Sequence, residues 1–342
     1  MKIIKSLPNR YQDTGIYLKS GDFSYKVESE WAKWPAEIKG SDVLSAVCDK
    51  NDNLYVATSH KDHPIGVFNP QGDFVRSFGK EHFHRAHSIS FTSRGTILCA
   101  DSSATLHAVR ELDLDGNLVR TFGTPGVPSD TGYDVNAYDK DFANKPSRDV
   151  YELQQQQIKV FFSQIDSIKK AAGPFNRPCH MAEASTGEMF AADGYGNAAV
   201  HKFAADGSYL ESWGSPGTGI GQYRLPHWVN IDRFDRVWVC DRENSRAFAY
   251  TTKGEIVAML DGEFCRVTSC WSDHDYIYFG ELGGGFFIVD VSTLEVVAQF
   301  GYLYLNMLAC HGIGGDSKGN LYISSISQSR PIGNLFKLTR IK

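Results

Sequence analysis

Apolar and polar residues alternate along most of the chain in short runs, each closed by glycine, aspartate or asparagine, and the order of these runs repeats. The clearest unit is LPHWVNIDRFDRVWVCDRENSR (225–246), which reads as strand, tight turn, strand and loop. The same unit recurs in RAHSISFTSRGTILCADSS and in LACHGIGGDSKGNLYISS. Period-two alternation bounded by turn residues predicts half-buried strands. Full repeats end at Gly79, Gly123, Gly214, Leu260 and Gly301, and a last one, 318–342, stops one strand short. Six repeats of about 40 residues, each with four strands, predict an all-β, six-bladed β-propeller. FSYKVESEWAKW near the N-terminus alternates without a partner. A strand at about 23–31 is therefore expected to complete the last blade, which removes an exposed edge and makes residues 1–342 one propeller domain. Residues 1–22 carry no regular pattern.

One segment breaks the rhythm. Residues 124–177 form an insertion between blades two and three, too long for an ordinary connection. Its first half is loop-like; about 147–172 predicts a helix capped by Ser147, with Asp149 in the first turn and Lys169 and Lys170 in the last. Val150, Leu153, Ile158, Phe161, Phe162, Ile165 and Ile168 give it an apolar face. The insertion is expected to be a lid or an element through which a homodimer forms.

Composition narrows the partners. A net charge of −5 without a basic cluster gives no electrostatic case for nucleic acid or an anionic membrane, leaving a small-molecule substrate. The N-terminus does not read as a signal peptide, and no apolar stretch approaches a membrane span. Seven scattered cysteines without CxxC pairs fit free thiols in a reducing compartment, so a cytoplasmic location is expected.

Candidate chemistry comes from the repeat register. His87, His227 and His311 each lie eight residues before a turn residue, Gly95, Asp235 and Gly319. With 11 histidines in the chain, chance puts three in one repeat column roughly once in fifty. They begin the inner strands of blades two, four and six, so their side chains are expected to meet on the axis as a metal site. Cys179 holds the same column in blade three, as a fourth ligand or a buried thiol. The second strands return to the same face. They put Thr58, Asp101, Asp193, Asp241, Glu281 and Ser325 in one column there, and His60, Ser103, Tyr195, Glu243, Gly283 and Ser327 in the next. Asp193 and Asp241 are expected to tie down their own loops.

AHSISF, DGYGNAAVHKF, LPHWVNI, VCDRENSR and the last histidine before KGNLYIS together resemble peptidyl-α-hydroxyglycine α-amidating lyase, built on an NHL-like propeller. The resemblance covers roughly residues 45–340 outside the insertion. It implies zinc on His87, His227 and His311, with Fe2+ as an alternative ion, Tyr195 in catalysis and Arg242 on the substrate. The family's other active-site arginine falls where this chain reads Thr58-Ser59-His60, so His60 is a candidate for that anchoring role. Its calcium-ligand aspartate is Gly312 here and its disulfide cysteine after DGY is Gly196, which puts Ca2+ and the disulfide in doubt. The implied activity is a metal-dependent lyase that cleaves the C–N bond of an N-(α-hydroxyalkyl) amide or related carbinolamine. A metal-dependent hydrolase or hydratase, or a non-catalytic NHL binding platform, stands as the alternative, since fold does not fix function.

Overall fold

In the computed structural model, which describes residues 1–7, 16–138, 150–301, 309–326 and 334–341, the chain is an all-β six-bladed propeller with one helical insertion. Blade one is β4 (Val43–Cys48), β5 (Leu54–Thr58), β6 (Ile65–Phe68) and β7 (Phe74–Phe78). Blade two is β8 (Ala86–Phe91), β9 (Ile97–Asp101), β10 (Val109–Leu112) and β11 (Leu118–Phe122). Blade three is β12 (Pro178–Glu183), β13 (Met189–Asp193), β14 (Ala199–Phe203) and β15 (Tyr209–Trp213). Blade four is β16 (Pro226–Ile231), β17 (Val237–Asp241), β18 (Arg246–Tyr250) and β19 (Ile256–Leu260). Blade five is β20 (Val267–Ser272), β21 (Tyr276–Glu281), β22 (Gly285–Asp290) and β23 (Glu295–Phe300). Blade six has β24 (Gly312–Gly315), β25 (Leu321–Ser324) and β26 (Leu335–Arg340).

The turn after each inner strand is set by local chemistry. Eight residues past the axial column, Asp52, Gly95, Gly187, Asp235 and Gly319 have φ of 62°, 79°, 82°, 55° and 77°. Glycine enters that left-handed region without strain, and aspartate tolerates it. In blade four the Asp232 carboxylate accepts the amides of Phe234 and Arg236, closing the turn. Apolar clusters fill the space between neighbouring blades all round the ring.

The N-terminal region closes the ring. β3 (Phe23–Glu28) pairs antiparallel with β26, with Leu338 opposite Val27, and supplies the fourth strand of blade six. It ends at Glu28 rather than continuing to residue 31. Trp31 and Trp34 instead leave the sheet and pack on Tyr322 and Phe68. Residues 1–22, read as irregular, contain two edge strands: β1 (Lys2–Ile4), parallel to β19, and β2 (Tyr17–Ser20), beside β3. Three and four residues are too few for alternation to show. Tyr25, fully buried, ties the closure to blade five through edge contacts with Phe286 and Phe300. Tyr25→Ala is expected to cost about 3–5 kcal/mol, the scale of emptying a large aromatic site. Urea unfolding followed by tryptophan fluorescence checks it; a loss below about 1 kcal/mol would contradict this role.

The insertion carries helix α1 (Val150–Asp166). It ends at Asp166, short of residue 172, because the Thr131 carbonyl takes the amides of Lys169 and Lys170. Ser147 and Asp149 lie outside the described residues, as do the side chains of Val150 and Leu153. Ile165 and Ile168 are buried and Phe161 and Phe162 half-buried, but Ile158 faces solvent. Among the described residues no helix is long and apolar enough to cross a membrane.

Candidate metal centre

A β-bulge opens the inner strands of the first five blades. The register shifts between Val43 and Ser45, Ala86 and Ser88, Pro178 and His180, Pro226 and Trp228, and Val267 and Ser269. The residues in these gaps are Leu44, His87, Cys179, His227 and Thr268; His311 precedes β24 in the corresponding place. A bulge re-aims its side chain, and the three histidines converge. Their ring centroids form a near-equilateral triangle, 4.9, 5.0 and 4.9 Å on a side. One ring nitrogen from each lies within 4.8 Å of the others, a grouping that could hold one metal ion.

Each ring is oriented by the neighbouring blade. His87 Nδ1 donates to the Cys179 carbonyl at 2.8 Å, His227 Nδ1 to Thr268 at 2.7 Å and His311 Nδ1 to Leu44 at 2.7 Å. A carbonyl only accepts, so all three Nδ1 atoms carry the hydrogen and all three Nε2 atoms keep a lone pair. Such outer hydrogen bonds fix the tautomer that a metal-binding imidazole needs. Burial pushes the His311 pKa down to about 3 and those of His87 and His227 well below 6.5, with the positive field of Arg242 adding to each. The rings therefore stay neutral, and acid destabilises the fold. Unfolded histidine takes a proton as pH drops through 6.5, while folded His311 refuses it until about pH 3 and His87 and His227 refuse it until well below 6.5. Metal-free protein is expected to lose thermal stability from about pH 6.5 downwards. The loss between about pH 6.5 and 5, above most carboxylate titration, should be smaller in His311→Gln; an unchanged slope in that variant would contradict it.

Tyr195, two residues past the end of β13, places its hydroxyl 3.2 Å from His87 Nε2, 3.1 Å from His227 Nε2 and 3.3 Å from Arg242 Nη1. The phenol has one hydrogen for two imidazole lone pairs, so protein hydrogens alone cannot satisfy the cluster. A divalent cation on the three Nε2 atoms fits this donor set. Arg242 is buried and sits over the Tyr195 ring. Burial opposes its charge, but Tyr195 and Glu243 outweigh that and hold the guanidinium firmly charged. Glu243 is shared with Arg266 at 2.7 Å.

The other candidates fall as follows. His60 lies at the end of blade one on the same face, but its ring packs on His63 and its Nδ1 accepts the Asp62 amide. None of its hydrogen bonds or ring contacts reaches the triad. Cys179 is a buried thiol outside the histidine group, its pKa pushed up to about 12 by burial, and its carbonyl orients His87. Asp193 and Asp241 hold the amides of Asn176 and Arg224, and Asp101 those of His84 and Arg85. A Cβ at Gly312 would lie 2.7 Å from Ser324 Oγ and 2.9 Å from the Leu44 carbonyl, so this position has no room for a carboxylate. Ser327 is outside the described residues.

Sequence reasoning named Arg242 but missed three other arginines. Arg177 stacks over the Tyr195 ring at 5.5 Å, matching Arg242. Arg85 and Arg266 add to the positive field that lowers the His311 pKa, after burial and Arg242. A signal for them exists: Arg85, Arg177 and Arg266 each stand two residues before the axial column.

No family model matches the chain. It is 26% identical over 229 residues to human NHL repeat-containing protein 3, covering 65% of this chain and 55% of that protein. The mouse counterpart is covered over 60% of its length. Rat peptidylglycine alpha-amidating monooxygenase is 27% identical over 166 residues, 44% of this chain and 17% of that one. Peptidyl-alpha-hydroxyglycine alpha-amidating lyase 2 of Drosophila melanogaster is 37% identical over 71 residues, 20% and 17% of the two chains. Among solved structures, a Xanthomonas campestris gluconolactonase superposes with a TM-score of 0.60 at 12% identity, covering 98% of this chain and 96% of that one. Staphylococcus aureus virginiamycin B lyase superposes at 0.56 and 11%, covering 93% and 100%. These superpositions carry the fold alone. The relationship to NHL-repeat and amidating-lyase proteins is distant. With the buried histidine cluster, it supports metal-assisted catalysis on a small molecule.

Proposed function

We propose that the protein is a zinc-dependent lyase that splits the C–N bond of an N-(α-hydroxyalkyl) amide or related carbinolamine into an amide and a carbonyl compound. One observation carries this reading. Three imidazole lone pairs converge with a phenol hydroxyl in hydrogen-bond reach and a buried arginine behind it. His87, His227 and His311 would hold the ion. Three neutral imidazoles with an open position suit Zn2+, with Fe2+ next. Such an ion supplies Lewis-acid polarisation of a substrate hydroxyl when bound.

Tyr195, as its phenolate, would take the proton from that hydroxyl. The oxygen's electrons then form the C=O bond as the C–N bond breaks. The departing nitrogen keeps the bonding pair and takes up a proton, which the Tyr195 hydroxyl is positioned to return. No water is consumed. Arg242, held charged by Glu243, pairs with a carboxylate or carbonyl oxygen of the substrate. The similarity to proteins named for peptide α-amidation supports the same chemistry. The same reading puts the protein in a reducing, cytoplasmic compartment, on the pattern of seven scattered cysteines without CxxC pairs.

The test is product analysis in 18O-water with zinc-loaded protein and an N-acyl α-hydroxy amine derivative. A lyase leaves the acyl fragment as an unlabelled amide. A labelled carboxylic acid would replace this reading with a hydrolase.

A further inference from the structure

The histidine triad is sealed. His87 and His227 are 0% exposed and His311 1%, so a substrate reaches Nε2 only if something above it moves. Tyr195, Arg242 and Phe161 crowd the side on which the phenol stands. Arg242 is fixed to the propeller, its amide donating to the Leu225 carbonyl at 3.0 Å. Phe161 is different, because it rides on α1. Its ring lies 5.4 Å from the Arg242 guanidinium carbon and 6.4 Å, edge-on, from the Tyr195 ring.

The helix is held there by contacts that separate at low cost. Phe162 stacks under Arg224 at 4.8 Å, and Asp166 meets the same guanidinium with two hydrogen bonds of 2.8 and 2.7 Å. That ion pair is partly exposed, with Arg224 at 33% and Asp166 at 52%. Beside it a cleft of about 330 Å³, lined by Ile165, Ile168, Tyr223 and Leu225 among others, lies between the C-terminal end of the helix and the propeller. A clasp of partly exposed polar groups marks a segment that opens well below the cost of global unfolding.

We infer that helix α1 is a lid over the triad, that Phe161 closes the mouth and limits what enters, and that Asp166 and Arg224 form the latch. Closing expels water from the reacting groups and commits the substrate. With Phe161 seated on Tyr195 and Arg242, the closed site takes a small molecule rather than the end of an extended peptide; this size limit rests on the catalytic reading above.

The experiment uses full-length, metal-free protein and diethyl pyrocarbonate, which modifies accessible neutral imidazoles; peptide mass spectrometry gives the rate at each histidine. His274, with 79% of its side chain exposed, is the internal reference. In the wild type the triad is expected to react far more slowly than His274. Phe161→Ala should speed modification of the triad by about tenfold, the scale of losing desolvated cation–π contacts. Asp166→Asn should speed it by about threefold, the scale of a half-exposed ion pair. Arg224→Lys, which keeps the charge but not the two-point clasp, should also speed it if the other variants fold poorly. Triad rates equal to wild type in all three variants, or a wild-type triad as reactive as His274, would overturn the lid. Because no metal is present, protein that never takes zinc yet opens in these variants keeps the lid and loses the lyase reading.

Discussion

Tyr195→Phe should retain its full metal content and lose turnover by roughly 10²-fold or more, the usual scale for removing a general acid–base group. The substitution keeps the ring that packs between Arg177, Arg242 and Phe161 and deletes only the oxygen that sits 3.2 and 3.1 Å from two ligand nitrogens. Packing of the mouth is therefore preserved and Glu243 still pairs with Arg242, so the change reports on the loss of the hydroxyl. Steady-state kinetics with matched metal analysis decides it. Near-wild-type turnover would leave the ion alone with the chemistry and favour hydrolysis or hydration. A fall in turnover accompanied by metal loss would make Tyr195 a structural support of the ligand set.

The second large effect belongs to the ligands. His87→Ala, His227→Ala and His311→Ala should each lower divalent-metal affinity by at least about 100-fold, since losing only an outer partner of a ligand costs 10–100-fold. Activity should fall with it. The fold should survive, because the triad stands on the axis while the stabilising apolar clusters lie between blades. The removed ring also frees the carbonyl of Cys179, Thr268 or Leu44, which a water can satisfy in the vacated space. Equilibrium dialysis against zinc, beside circular dichroism of each variant, checks both halves. Unchanged affinity in any one variant would remove that histidine from the site.

Much of this arrangement is legible because the propeller repeats its register. The column holding His87, His227 and His311 is visible through its fixed distance to the turn residue, and turn and column repeat together in five blades. The helical insertion shows as a break in that rhythm. What the sequence hides has physical causes. Strands of three or four residues such as Lys2–Ile4 and Tyr17–Ser20 are too short for a period and take their order from the edge they join. The C-terminal end of α1 is set by the distant Thr131 carbonyl, so Lys169 and Lys170 give no sign that they lie beyond it. Ile158 matches the apolar period of its helix yet faces solvent, because only part of the helix rests on the propeller. Backbone carbonyls fix the imidazole tautomers, and a carbonyl has no sequence signature. Arg85, Arg177 and Arg266 belong to three different blades, and only ring closure brings them near the triad and Tyr195. His60 shows the reverse: a shared column places it on the right face but leaves it bound to its own loop.

The central claim is that three Nε2 atoms from alternate blades hold one divalent ion. Anomalous diffraction at the zinc edge, from crystals of zinc-loaded protein, tests it most directly. The account predicts one strong peak on the propeller axis, about 2.0–2.1 Å from the Nε2 atoms of His87, His227 and His311, with a fourth position open towards Tyr195. Zinc bound elsewhere with the triad empty, or bound through only one or two of these histidines, would contradict it.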